Sequence, residues 1–275
     1  MINNPFVLYG YESEAYFCDR KQETEQLLRL IENGNNVALI APRRIGKTGL
    51  IENLYHQKQV QKDYYTFLID IYATKTIEDM IMAMGSAMLS ALRPKGAQMM
   101  QKFTDFLSSL KSGISFDPAG NPSWNVEIGD IRTPRTTLDE IFHYIESADK
   151  PCIVAIDEFQ SVAHYPDGNA EALLRTHIQH CRNANFIFAG SQRTMMAEIF
   201  NSPARPFYQS TSMMSLDCIP MDKYCEFAQN HFKKADKQLP ASVFQSVYER
   251  FEGITWYIQR VMNELFAMTA AGSCC

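Results

Sequence analysis

The sequence predicts an α/β fold: five strands in an open parallel sheet with helices on both faces, followed by a helical region without strands. Three observations predict it. An apolar run, Asn36–Ile40, leads into Ala41-Pro42-Arg43-Arg44-Ile45-Gly46-Lys47-Thr48 and then into a helical pattern, the strand–loop–helix order of a phosphate-binding loop. A second apolar run, Cys152–Ile156, is continuous rather than alternating, as a strand buried on both faces requires, and ends in Asp157-Glu158. From Met221 onward only helical periodicity remains, which places a boundary near Ile219-Pro220. The expected domains are a core over 1–219, with a hairpin insertion at about 112–131, and a helical lid over 220–275.

Each element has its own local reason. Asp19 offers an N-cap to a helix whose apolar face is Leu27, Leu28, Leu30 and Ile31, and Gly34 ends that helix before the first strand. After the loop, Leu50, Ile51, Leu54 and Tyr55 recur at helical spacing. Tyr64–Asp70, rich in β-branched and aromatic residues, reads as the second strand. Ile77–Leu92 carries Met80, Met82, Met84 and Met88 on a helix that Pro94 stops; it reads as a core helix, with a methionine-lined groove as the other reading. Ala97–Leu110 reads as a further helix. Within 112–131, alternation at Trp124, Val126 and Ile128 after Asp-Pro-Ala-Gly-Asn-Pro reads as a β-hairpin, which either packs locally or docks a partner. Helices over Thr137–Ala148 and Asn169–Arg182 flank the acid-bearing strand. Phe186–Ala189 is the fourth strand, a short helix covers Thr194–Ile199, and a fifth strand lies near Ser212–Leu216. The last three helices are Met221–Lys234, Ala241–Phe251 and Ile254–Met268.

Composition narrows the function. Apolar residues are 46% of 275, enough for a substantial core, while a net charge of −5 without a long basic run gives no nucleic-acid footprint. No apolar run approaches a membrane span, and Met1–Phe6 is unlike a signal peptide. The seven cysteines are scattered without metal-type pairing, and several, such as Cys152, sit in apolar patterns and read as small buried hydrophobes, which points to a reducing cytoplasm. The terminal Gly-Ser-Cys-Cys is expected to be loose.

The chemistry concentrates at two places. Gly46 lets the backbone pass close to a phosphate, and the loop amides with the first helical N–H groups point at the anion. Lys47 brings charge to the β/γ-phosphates and Thr48 a hydroxyl to Mg²⁺, so the loop, Pro42 through Gly49, is expected to bind a nucleoside triphosphate. Ala41 stands where the usual pattern has glycine, which alters the entry turn. Asp157, at the carboxyl end of a parallel strand, is placed to hold Mg²⁺, and Glu158 to polarise the attacking water. Ser191, Gln192 and Arg193 follow the fourth strand on the same sheet edge. Either one of them senses the γ-phosphate, Arg193 through its guanidinium fork, or Ser191 caps the next helix and Arg193 faces solvent. His177, His180 and Cys181 share a helix face, but no fourth ligand is visible, so a half-exposed face is the reading.

Phe17-Cys18-Asp19-Arg20-Lys21-Gln22-Glu23, the Pro-Arg-Arg-x-Gly-Lys-Thr loop, the Asp157-Glu158 strand and Phe188-Ala189-Gly190-Ser191 occur in order. Together they resemble the archaeal-type ATPase family of AAA-like, STAND-class (ASCE) P-loop NTPases, over about Asn4 to about Phe266. The resemblance implies a P-loop NTPase three-layer α/β/α sheet of strand order 5-1-4-3-2, with the loop as Walker A and the acid strand as Walker B. It also implies ATP and Mg²⁺ as ligands, and an adenine pocket lined by Phe6 and Phe17–Arg20. Where this class carries Gly-x-Pro in its lid, this chain has Gly253-Ile254-Thr255. The class continues into a winged-helix or effector domain near where this sequence ends. Arg175, Arg182 and Arg205 are candidates for a trans-acting finger.

Three functions compete: an ATP hydrolase acting as a conformational switch, slow without a partner; a nucleotide-binding interaction module that rarely turns over; and, last, a small-molecule kinase, for which only Arg43 and Arg44 supply extra basic groups. A second copy of the chain or an effector protein is the expected partner, with no nucleic acid and no membrane.

Overall fold

The computed structural model describes residues 4–92, 102, 105, 114–116, 122–124, 134–166 and 168–275. The chain forms two compact units. One comprises Leu30–Ile40 and Lys58–Met214; the other comprises Met1–Arg29, Ala41–Gln57 and Ser215–Cys275.

The first unit is built on a five-stranded sheet of β1 (Val37–Ile40), β2 (Tyr65–Asp70), β5 (Cys152–Asp157), β6 (Ala184–Gly190) and β7 (Ser212–Ser215). Its order is β2-β5-β6-β1-β7, which is 5-1-4-3-2 when these strands alone are counted along the chain. β1 pairs β6, β6 pairs β5 and β5 pairs β2, all parallel. β3 (Ile114–Phe116) and β4 (Pro122–Trp124) form a separate antiparallel pair, the expected hairpin. Every residue of β1 and β5 is buried, which is why both are unbroken apolar runs, whereas the outermost strands β2 and β7 alternate.

Helix α1 (Lys21–Glu32) precedes β1, and α2 (Lys47–Tyr55) follows the loop. Then come α3 (Lys58–Asp63), which sequence periodicity does not reveal, α4 (Ile77–Leu92), α5 (Pro134–Glu146), α6 (Ala170–His180) and α7 (Arg193–Asn201). Met80, Met84 and Met88 of α4 have no exposed surface, so this is a core helix rather than a groove. Phe159, Phe188, Phe200 and Phe207 interlock, with Phe159 and Phe188 centroids 4.6 Å apart and Phe188 and Phe207 5.3 Å apart. Truncating one such ring to alanine costs about 3–5 kcal/mol. The helix expected over Ala97–Leu110 lies outside the described residues.

The second unit holds α8 (Met221–Lys234), α9 (Ala241–Arg250) and α10 (Thr255–Met268). Their core receives Phe6, which is fully buried against Phe232 (5.7 Å) and Phe266 (5.9 Å). Asn4 donates to the Asn263 carbonyl, and Asn263 donates to the Phe6 carbonyl, both at 2.8 Å. Phe6 is therefore core and lines no adenine pocket, contrary to expectation. Asp19 does not cap α1 either: that helix starts at Lys21, and Asp19 and Arg20 are both left-handed, at φ 57° and 69°. The terminal Gly-Ser-Cys-Cys is tied down, because Gln238 donates to the Ser273 carbonyl at 3.0 Å and Cys275 to that of Gln238 at 3.2 Å.

Burial pushes the thiols of Cys18, Cys152 and Cys181 up to about 12, which makes them unreactive packing groups. Among the described residues no helix is long and apolar enough to cross a membrane.

Candidate functional site

The loop after β1 is anchored from within. Ala41, Ile45 and Lys47 are buried, while Pro42, Arg43, Arg44, Gly46 and Thr48 are exposed. Arg44 has φ 68° and Gly46 φ 98°, so two left-handed residues flank Ile45. Such alternation turns successive amides toward one side and makes an anion-binding concavity. For arginine that conformation costs about 1–2 kcal/mol, so it persists only where neighbours enforce it. α2 begins directly at Lys47, with the Leu50 N–H bonded to the Gly46 carbonyl at 3.0 Å. A glycine N-cap puts no side chain over the first helical amides, which suits anion binding there.

Neighbours within the same unit enforce the loop. The Trp256 N–H donates to the Arg44 carbonyl at 3.0 Å, and Thr255 Oγ1 to the Ile45 carbonyl at 3.0 Å. Arg20 donates through Nη2 to the carbonyls of Ile45 (3.4 Å) and Asp217 (2.7 Å), and through Nη1 to Glu23 (2.8 Å). The Arg44 guanidinium lies 4.5 Å from the Trp256 ring centroid and donates to the Tyr257 hydroxyl at 2.8 Å. Phe17 packs against α2: its Cε2 lies 3.3 Å from where a side chain on Gly49 would begin. Tyr11 lies 5.5 Å from Phe17 and 4.7 Å from His56, ring to ring, and donates to Asn53 at 3.1 Å.

In the sheet unit, β5 ends in Asp157, which is 6% exposed and accepts the Glu158 N–H at 2.9 Å. Glu158 is left-handed, at φ 57°. Its Oε2 accepts from Gln160 Nε2 at 2.6 Å and from Ser191 Oγ at 2.8 Å. Ser191 thus bonds the acid and does not cap α7, whose cap position is Gln192. Arg193, the first residue of α7, is exposed. Gln160, 2% exposed in a 3₁₀ turn over Phe159–His164, escaped sequence reading because nothing in its local pattern marks it. The pairings Ile40 with Gly190 and Ile156 with Phe188 bring the carboxyl ends of β1, β5 and β6 to one edge of the sheet. That is where open α/β sheets bind ligands.

Among the described residues no group of three or more His, Cys, Asp or Glu is placed to hold a metal. A hydroxyl at Thr48 and a carboxylate at Asp157 are oxygen donors that suit Mg²⁺, a hard cation that completes its shell from phosphates and water. His177 is buried, 3.3 Å from Asp139, and burial lowers its pKa. Arg205 is committed to Glu171 at 3.2 Å and Glu198 at 3.6 Å.

A family model described as an ATPase domain predominantly from Archaea matches residues 17–261. No curated protein matches the sequence. Among solved structures, a Walker-type ATPase of Pyrococcus abyssi superposes with a TM-score of 0.69 at 21% identity, over 96% of this chain and 72% of that one. The ORC2 protein of Aeropyrum pernix, in ADPNP–ADP complexes, gives 0.59 at 14% identity, over 95% of this chain and 64% of that one. The RuvB Holliday junction branch migration motor of Thermotoga maritima gives 0.51 at 11% identity, over 96% and 66%. At these identities the likeness concerns the fold, and the chain spans less than two thirds of the last two proteins.

Proposed function

The chain belongs to the family of ATPase domains found predominantly in Archaea, and from that premise we propose that it binds ATP with Mg²⁺, hydrolyses it to ADP and phosphate, and acts as a nucleotide-dependent conformational switch. The observation that carries this reading is the loop itself: left-handed Arg44 and Gly46 around buried Ile45, immediately before a helix that starts at Lys47. The nucleotide complexes of the similarly folded ORC2 protein support it.

In this reading Pro42–Gly49 wraps the phosphates and the Lys47 ammonium offsets charge on the β- and γ-groups. Phe17 and Arg20 back the loop on its helix side. Thr48 and Asp157 are the oxygens that would hold Mg²⁺, which when bound neutralises charge on the phosphate oxygens. Glu158 accepts a proton as water attacks the γ-phosphorus; the bond to the β–γ bridging oxygen breaks and ADP leaves. Ser191 holds Glu158, and Arg193 offers a guanidinium to the γ-phosphate.

A second reading, nucleotide held with little turnover, is favoured by one contact pair: Gln160 and Ser191 both occupy Oε2 of Glu158, an oxygen that would take the proton. The test is calorimetric titration with Mg-ATP alongside phosphate release. Wild type should bind and release phosphate, and Lys47→Ala should bind at least about tenfold more weakly, from the loss of a charge-assisted contact. Tight binding without phosphate release selects the second reading. Equal affinity in folded Lys47→Ala removes both.

A further inference from the structure

The loop's carbonyls, and not only its amides, are engaged. In a peptide unit the C=O of one residue and the N–H of the next are conjugated, so a donor on the oxygen makes the N–H a better donor by about 10–30% per bond. The Arg44 carbonyl shares its unit with the Ile45 N–H, and it accepts from the Trp256 N–H at 3.0 Å. The Ile45 carbonyl shares its unit with the Gly46 N–H, and it accepts from Thr255 Oγ1 at 3.0 Å and Arg20 Nη2 at 3.4 Å. Two of the three donors sit at the start of α10. Arg44 closes the contact, with its guanidinium 4.5 Å and 5.1 Å from the centroids of Trp256 and Tyr257.

We propose that Thr255 and Trp256, with Arg44, are positioning residues for nucleotide binding, a clasp by which the start of α10 sets the phosphate loop. The proposal rests on the nucleotide reading above and assigns a role to helix α10 that the reading does not contain. The clasp holds Arg44 in its left-handed conformation and polarises the amides of Ile45 and Gly46 toward an anion. The coupling is reciprocal: a phosphate held by those amides strengthens the carbonyl contacts and draws α10 tighter, so nucleotide occupancy is felt at Trp256. Thr255 is the residue that makes this possible, because its hydroxyl is the α10 side-chain donor that reaches the Ile45 carbonyl.

The chain has two tryptophans, so Trp124→Phe leaves Trp256 as the sole indole. In that background, Mg-ADP and Mg-ATP titrations are followed by Trp256 emission and by calorimetry, with thermal melts of each apo variant. The clasp requires an emission change whose midpoint equals the calorimetric Kd. Thr255→Val, which keeps the branched shape but deletes the donor, should weaken binding about five- to tenfold. Thr255→Ser should restore it, and neither change should alter the apo melting temperature by more than a few degrees. If Thr255→Val does not fold, the exposed Arg44→Leu serves: affinity should fall about threefold and the Trp256 response should shrink, a loss typical of one exposed cation–π contact. Thr255→Val or Arg44→Leu binding as tightly as wild type, or calorimetric binding that leaves Trp256 emission unchanged, overturns the clasp alone. A wild-type chain that binds no nucleotide overturns the nucleotide reading and the clasp with it.

Discussion

Gly253 is the position where one methyl group should do most damage to the helical unit. It is left-handed, at φ 73°, and a side chain there would begin 2.8 Å from the Tyr248 hydroxyl and 2.9 Å from Cys218 Cβ. Neither neighbour can simply withdraw: Tyr248 donates to the Ile219 carbonyl at 2.8 Å, and the Cys218 thiol bonds the Glu252 carbonyl at 3.4 Å. Gly253→Ala therefore combines a left-handed penalty of about 1–2 kcal/mol with overpacking of about 1–3 kcal/mol. Alanine also restricts the unfolded chain, which offsets about 0.4–1 kcal/mol. The net loss is about 2–4 kcal/mol, or a melting temperature lower by roughly 4–16 °C in a chain of this size. Gly10→Ala is the control, since Gly10 has φ 74° in the same unit with nothing within 4 Å of an added side chain. It should lose only about 1 kcal/mol, the backbone part. Thermal and urea unfolding followed by circular dichroism, at one protein concentration, measures both. Equal losses in the two variants would refute the steric part of the reasoning. Gly253 also leads directly into Thr255, so Gly253→Ala should weaken ATP binding while Gly10→Ala leaves it alone.

Glu158→Gln should retain Mg-ATP but slow phosphate release by about 10²–10⁴-fold, whereas Asp157→Ala should weaken Mg²⁺-dependent binding; full turnover in both would detach this strand from the chemistry. His231 and His177 are held below the ordinary histidine pKa, chiefly by burial. The unfolded chain then binds more protons, so stability is fully present above about pH 6.5 and is lost as pH falls through the folded values. Urea midpoints between pH 7.5 and 5 should decline, and decline less in His231→Gln. If a second copy supplies an arginine, worth about 10³–10⁵ in rate, turnover per chain should rise with protein concentration across a hundredfold range; a constant rate in a strict monomer would point to a complete site within one chain.

Local pattern carried the sheet. Continuous apolar runs at Val37–Ile40 and Cys152–Ile156 gave away the central strands, because burial on both faces leaves no polar position to blur them. The methionine-rich helix was legible to the residue for a similar reason. The loop motif and the acid pair were visible as residue types, but what holds them was not. Arg20 reaches the Asp217 carbonyl across 197 residues, and its left-handed backbone has no sequence signature outside glycine and asparagine. Gln160 contacts Glu158 only because a 3₁₀ turn folds it back. Phe6 is not legible, because an aromatic residue in an irregular lead-in reads the same whether it meets a ligand or, as here, a core. The role of Thr255 is not legible either, because the carbonyl that its hydroxyl reaches lies 210 residues away.

That distance bears on how the protein is made. Translation delivers the phosphate loop early and its contacts late: Thr255, which donates to the Ile45 carbonyl, lies 210 positions downstream of Ile45, and Tyr257, which accepts from the Arg44 guanidinium, lies 213 positions downstream of Arg44. The seven strands among the described residues have all been synthesised by Ser215, so a nascent molecule can assemble its sheet while the loop still lacks Thr255 and Trp256. Closing so long a contact is also among the slower steps available to a chain. An unfinished or prematurely ended copy would carry the loop sequence without the contacts from Thr255, Trp256 and Tyr257.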